Sequence, residues 1–182
     1  MENITMSDQC SIITIYKSRR EAENAVRELQ KRDFDIEMLS VIVKDHRTDE
    51  DIVGNDYRGD RMMFLEEPGA FSGGLSDILF GSRSFIVPGV GPLLVAGPLV
   101  TRISDVLEHA VVENGFGAFG AALINIGIPM DCVLLYEENL RAGRLLLVLH
   151  GTPWEVECAL QRWDCSQATE TAVYAEPATV CV

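Results

Sequence analysis

Apolar and polar positions along this chain change period several times, and each change marks an element. Ser11 to Lys17 (SIITIYK) is rich in β-branched residues and predicts a strand. The stretch that follows, SRREAENAVRELQKRD, opens with the pattern of a capping box: Ser18 can accept from the third helical N–H, and Glu21 can reach back. Ala22, Ala25, Val26 and Leu29 then recur at i, i+3, i+4 and i+7, which lays one apolar stripe along a helix. Ile36 to Lys44 (IEMLSVIVK) predicts a second strand, completing a β-α-β unit.

The same order returns 134 residues later. Arg144 to His150 (RLLLVLH) predicts a strand, and TPWE repeats the capping box, with Thr152, Glu155 and Pro153 at the first helical position. Val156, Ala159, Leu160 and Trp163 occupy the offsets held by Ala22, Ala25, Val26 and Leu29 in the first helix. Glu170 to Glu176 (ETAVYAE) supplies a closing strand. Two β-α-β units, each burying one helix face on a sheet, predict an α+β chain of ferredoxin-like β-α-β/β-α-β type. The expected organisation is a single domain over 1–182, with halves at 11–45 and 143–177 and an insertion over 46–142.

The insertion is less regular. Its first part, 45–67, is polar and charged and predicts an exposed loop or ribbon; His46 with Asp45, Asp49, Glu50 and Asp51 is the one conceivable cation cluster, and a charge run of this kind reads first as a solvated face. From Ser84 to Thr101 there are 18 uncharged residues, the lower limit for a spanning helix. Pro88, Pro92 and Pro98 each remove a backbone donor, and broken backbone facing lipid leaves polar groups unsatisfied. The following residues give a two-sided helix starting near Pro98. Leu99, Ile103, Val106, Leu107, Ala110 and Val111 form its apolar side, with Arg102, Asp105, Glu108, His109 and Glu113 around the rest.

GFGAFG (Gly115, Gly117, Gly120) matches a dinucleotide-binding spacing, but a charged helix precedes it where that fingerprint needs a buried strand. Its small residues, like Gly69, Ala70, Gly73 and Gly74, suit close helix approach instead. GIPMDCVLLYEENLRAG predicts a further helix, with Pro129 and Asp131 at its start and Gly143 as its stop.

Composition narrows the function. A hydrophobic share of 47% over 182 residues supplies a core, and a formal charge of −13 opposes nucleic-acid phosphates and anionic membrane surfaces alike. The five cysteines (Cys10, Cys132, Cys158, Cys165, Cys181) form no C-x-x-C pair, which predicts reduced thiols in the cytoplasm. The first residues, MENITMSDQC, carry neither a basic nor an apolar leader pattern. Neither a Ser-His-Asp order, an H-E-x-x-H helix nor a phosphate loop is present, so no catalytic residue, cofactor or metal site is expected.

FIVPGVGPLLVAGPLV, GAALINIGIPMDCVLLYEENLRAGRLLLVLHGT and GAFSGGLSDILFGS together resemble the bacterial general stress protein 17M-like domain family, also described as heat-induced stress proteins. The resemblance runs from about Ser11 to His150. It implies a glycine-rich hydrophobic helical hairpin between two β-α-β halves, and it carries over no catalytic residue. The function expected is a non-enzymatic, stress-associated structural protein forming a homo-oligomer through this insertion. A small-molecule-binding regulatory domain and a peripheral membrane-associated protein stand as alternatives. Phe85 to Val100 is expected to join the arms of the hairpin and to pack on another subunit, with Phe85, Pro88, Gly89, Gly91, Pro92, Leu94, Gly97, Pro98, Gly117 and Gly120 as interface candidates.

Overall fold

The structure, a computed structural model, describes residues 9–45, 75–79, 82–109, 117–163 and 167–175. It is an α+β arrangement of β1 (Cys10–Tyr16), α1 (Arg19–Lys31), β2 (Leu39–Lys44), α2 (Leu75–Leu79), β3 (Arg83–Val87), β4 (Gly91–Ala96), α3 (Leu99–His109), α4 (Ala118–Asn125), α5 (Met130–Arg141), β5 (Leu145–Gly151), α6 (Pro153–Arg162) and β6 (Glu170–Ala175). The strands form one six-stranded sheet in the order β3-β4-β2-β5-β1-β6, and every pairing is antiparallel.

Both faces of the sheet are covered. Alternation along a strand sends Ile13 and Ile15 of β1, Ile42 of β2 and Leu146 and Val148 of β5 to one side, where Leu99, Ile103, Phe119, Leu123, Val133 and Tyr136 meet them. Ile12, Tyr16, Leu39, Val41, Leu145, Leu147 and Leu149 point the other way, onto Ala22, Val26 and Leu29 of α1, Leu75 and Leu79 of α2, and Val156, Ala159 and Trp163. Strands β1 and β5 are thus buried on both sides, the reason apolar residues stand on both of their faces, and their few polar members, Ser11, Thr14 and His150, are buried too.

Both capping boxes form. The Ser18 hydroxyl accepts from the Glu21 N–H at 3.3 Å, and the Glu21 carboxylate accepts from the Ser18 N–H at 3.3 Å. Thr152 and Glu155 repeat the exchange at 3.3 and 2.8 Å. The repeat is not perfect: Val26 is fully buried, whereas Leu160, its counterpart, is 37% exposed. Helix α5 ends as expected at Gly143, which takes a positive φ of 83°. There the Gly143 N–H donates to the Leu140 carbonyl and the Arg144 N–H to that of Asn139, a Schellman closure.

The largest departure concerns the proline-rich stretch. It is not the connection of a helical hairpin but a β-hairpin that widens the sheet. Val87-Pro88-Gly89-Val90 makes the turn: the Val90 N–H donates to the Val87 carbonyl at 3.1 Å, and Gly89 supplies the positive φ, 80°, wanted after a proline. The register then sets Ile86 against Pro92 and Phe85 against Leu93, while β4 pairs with β2 through Val41–Ala96 and Ile42–Val95. Helix α2 precedes this hairpin, α3, α4 and α5 follow it, and α3 packs on α4. The expected apolar side of α3 holds at Leu99, Ile103 and Val106, all buried. The side chain of Leu107, all of Ala110, Val111 and Gly115, and the whole span 46–74, with His46, Asp49 and Gly69, lie outside the described residues.

Candidate functional site

The residues picked from the sequence gather at the β3-β4 hairpin and the helices above it. Phe85 is half-buried and packs on the core beneath α3 and α4. Pro88 and Gly89 are exposed at the turn, where the Gly89 carbonyl accepts from Nε of Arg141 at 2.7 Å. Gly117, at the start of α4, faces the Pro88 ring, since a Cβ there would lie 3.2 Å from Pro88 Cδ. Hairpin tip, α4 and the end of α5 are therefore tied together within one chain.

The remaining candidates spread along β4. Gly91 has a positive φ of 104° with open space beside it, and Pro92 is buried, its carbonyl accepting from the Asp45 N–H at 2.9 Å. Leu94 is half-buried opposite Val43, Pro98 is half-buried at the entrance to α3, and Gly120 is buried within α4. Gly97 is the most constrained. Its φ is +89°, and a Cβ would fall inside the Leu39 carbonyl oxygen and 2.8 Å from Ser40 Cα. Its close backbone approach is made within the chain, to β2.

What α5 turns outward was not among the candidates. Val133, Tyr136, Asn139 and Leu140 face inward at helical spacing. Met130 (46% exposed), Leu134 (54%) and Leu135 (39%) face outward beside Glu138 and Arg141. Met130 and Leu134 stand one turn apart, so they form a short apolar strip rather than scattered contacts. The signal was present in the sequence: MDCVLLYEENL has more apolar residues than one buried stripe uses.

A buried polar cluster also escaped the sequence reading. His150 on β5 lies with Nδ1 3.3 Å from the Ser11 hydroxyl of β1 and Nε2 3.0 Å from that of Ser40 on β2. The Ser40 Oγ also accepts from the Leu99 N–H at 3.0 Å, which fastens the start of α3 to the sheet. Burial, helped by the positive Arg102 nearby, lowers the His150 pKa from 6.5 to about 4, so the ring is neutral at pH 7. Arg102 itself donates to Gln9 Oε1 at 3.0 Å. A serine beside an imidazole suggests nucleophilic chemistry, yet Ser40 has no exposed surface and Ser11 has 1%. The cluster holds three strands and a helix together. It has no face for a substrate.

On the same side of the sheet, the Tyr136 and Tyr174 hydroxyls meet at 2.8 Å with their rings edge to face. Burial, and then the contact with Tyr174, pushes the Tyr136 hydroxyl well above the ordinary tyrosine range. Burial also raises Tyr174, and both phenols stay protonated. On the other side, the ends of α1 and α6 leave a crevice of about 50 Å³ between Leu29, Phe34, Cys158 and Arg162, room for little more than a water. Among the described residues no group of His, Cys, Asp and Glu is placed to hold a metal ion, and no helix is long and apolar enough to cross a membrane.

Comparison with protein-family models, with curated proteins and with solved structures finds no match to this chain.

Proposed function

We propose that this chain is a non-enzymatic structural protein of the heat-induced stress type, cytoplasmic, that self-associates through its central insertion. The observation carrying the reading is the outward strip Met130–Leu134–Leu135 on α5, apolar surface within the inserted segment itself. In a chain of net charge −13, an uncharged strip is where two copies approach with least repulsion. The glycines and prolines of the hairpin act one step back. They hold the turn against Gly117 and Arg141, and so tie the hairpin to the start of α4 and the end of α5.

The terminal halves read best as a ferredoxin-like unit. Strands β2-β5-β1-β6 stand in the order that two interleaved β-α-β crossovers produce, with α1 and α6 on one face. The insertion then replaces the short β2–β5 connection and supplies the second layer of helices. The stress association rests on the sequence resemblance. A structural role fits the sealed state of Ser11, Ser40 and His150, the residues with the most reactive appearance.

Leu134→Glu is the direct test, because Leu134 is more than half exposed and its replacement leaves the core intact. Native mass should fall in this variant while the circular dichroism spectrum stays unchanged. A wild-type chain that is monomeric at all accessible concentrations would remove the proposal.

A further inference from the structure

We infer that β6, the edge strand among the described residues, is a second association surface, pairing antiparallel with β6 of another copy about a two-fold axis centred on Ala172. Among the described residues β6 ends the sheet: its inner edge is taken by β1 over Cys10–Ile15, and no strand pairs with its outer edge. A row of unpaired backbone N–H and C=O groups recognises one kind of partner, another strand. Nothing in the sequence of β6 blunts that edge, since ETAVYA has no proline, no lysine and a single charge at its first residue.

The side chains beside the edge favour a like copy. On the face carrying α6, Val173 is 49% exposed. Helix α6 turns the flank with Cys158 and Arg162 toward α1, where both line the crevice with Leu29 and Arg32. Leu160, which helical spacing sets away from that pair, is 37% exposed. Val173 therefore gives the β6 margin an exposed apolar side chain. A two-fold axis perpendicular to the sheet brings this margin against its own copy and continues each sheet face across the junction. With Ala172 on the axis, Thr171 stands opposite Val173 of the second copy, and Glu170 stands opposite Tyr174. No like charges meet, and each pair keeps to a single face, Thr171 and Val173 on the α6 side and Glu170 and Tyr174 on the other, as antiparallel pairing requires. A closed two-fold pair of this sort also removes the edge altogether, whereas a β3-to-β6 contact would propagate without end.

This surface is independent of the α5 strip, so it is tested with that strip disabled. In a Leu134→Glu background, sedimentation equilibrium should give twice the chain mass of 20.1 kDa. Adding Thr171→Glu and Val173→Glu, which sets like charges opposite each other in the inferred register, should halve that mass. Thr171→Lys with Val173→Glu, which sets opposite charges there, should restore it, and high salt should weaken the restored pair. The three residues are exposed, so folding checked by circular dichroism should be unaffected. A Leu134→Glu chain that is already monomeric would overturn the inference and leave the α5 reading standing. A dimer surviving the two glutamates, or a lysine–glutamate variant that stays monomeric, would overturn it as well.

Discussion

Lowering the pH from about 6.5 toward 4 should weaken this protein through His150. The ring is 8% exposed and sits between two serines, near Arg102 on α3. A neutral imidazole has one donor and one acceptor nitrogen and satisfies both hydroxyls; a charged ring in this place loses its hydration and faces a positive neighbour. The folded pKa is about 4 against 6.5 for the free side chain. Between those values the unfolded chain binds a proton that the folded chain does not, so stability rises with pH and falls as pH drops from about 6.5 toward 4. Full titration of a gap of that size corresponds to a loss on the order of 3 kcal/mol. The assay is urea unfolding at intervals from pH 7.5 to 4.5, for the wild type and for His150→Gln. The variant starts less stable, having disturbed the Ser40 and Ser11 contacts, but its stability should change less between pH 6.5 and 5. Because both proteins share every carboxylate and both other histidines, the difference between the two curves isolates His150. Curves that run parallel over that interval would refute the reasoning.

Two further outcomes follow from local geometry. Ser18→Ala and Thr152→Ala each remove one half of a formed capping box and should each lower stability by about 1 kcal/mol in denaturant unfolding. Gly97→Ala should be much worse, over roughly 2 kcal/mol, because a side chain at that φ would also drive into the backbone of β2 at Leu39 and Ser40. Gly91→Ala, with open space beside it, meets only the φ penalty, and an equal cost at the two glycines would refute the close-approach argument.

What could be read from the sequence and what could not divides on a physical line. Local signals survived: the capping boxes at Ser18 and Thr152, the stop at Gly143 and the strand tendency of the residues in β1 and β5 depend on neighbours within a few residues. Proline misled the reading of 85–100. Three prolines argue rightly against a continuous helix, but Pro88-Gly89 between SFIV and VGPLLV is also the composition of a type II turn, and Pro92 tolerates a place near the start of its strand. Gly97 carries a related ambiguity. A glycine needed for close approach does not say what approaches, and at Gly97 it is the chain's own β2. The His150 cluster was invisible because its members lie 139 and 110 residues apart and meet only through the β1–β5–β2 pairing. Leu160 is 37% exposed where its counterpart Val26 is fully buried, and α1, unlike α6, has α2 packed beside it.

The central claim is that the insertion presents α5 for self-association. Sedimentation velocity of the wild type and of Leu134→Glu, run over the same concentration series, tests it most directly. The account predicts a wild-type species that is larger by at least twofold in mass and that dissociates on dilution, against a smaller species in the variant. Identical sedimentation of the two proteins at every concentration would contradict it.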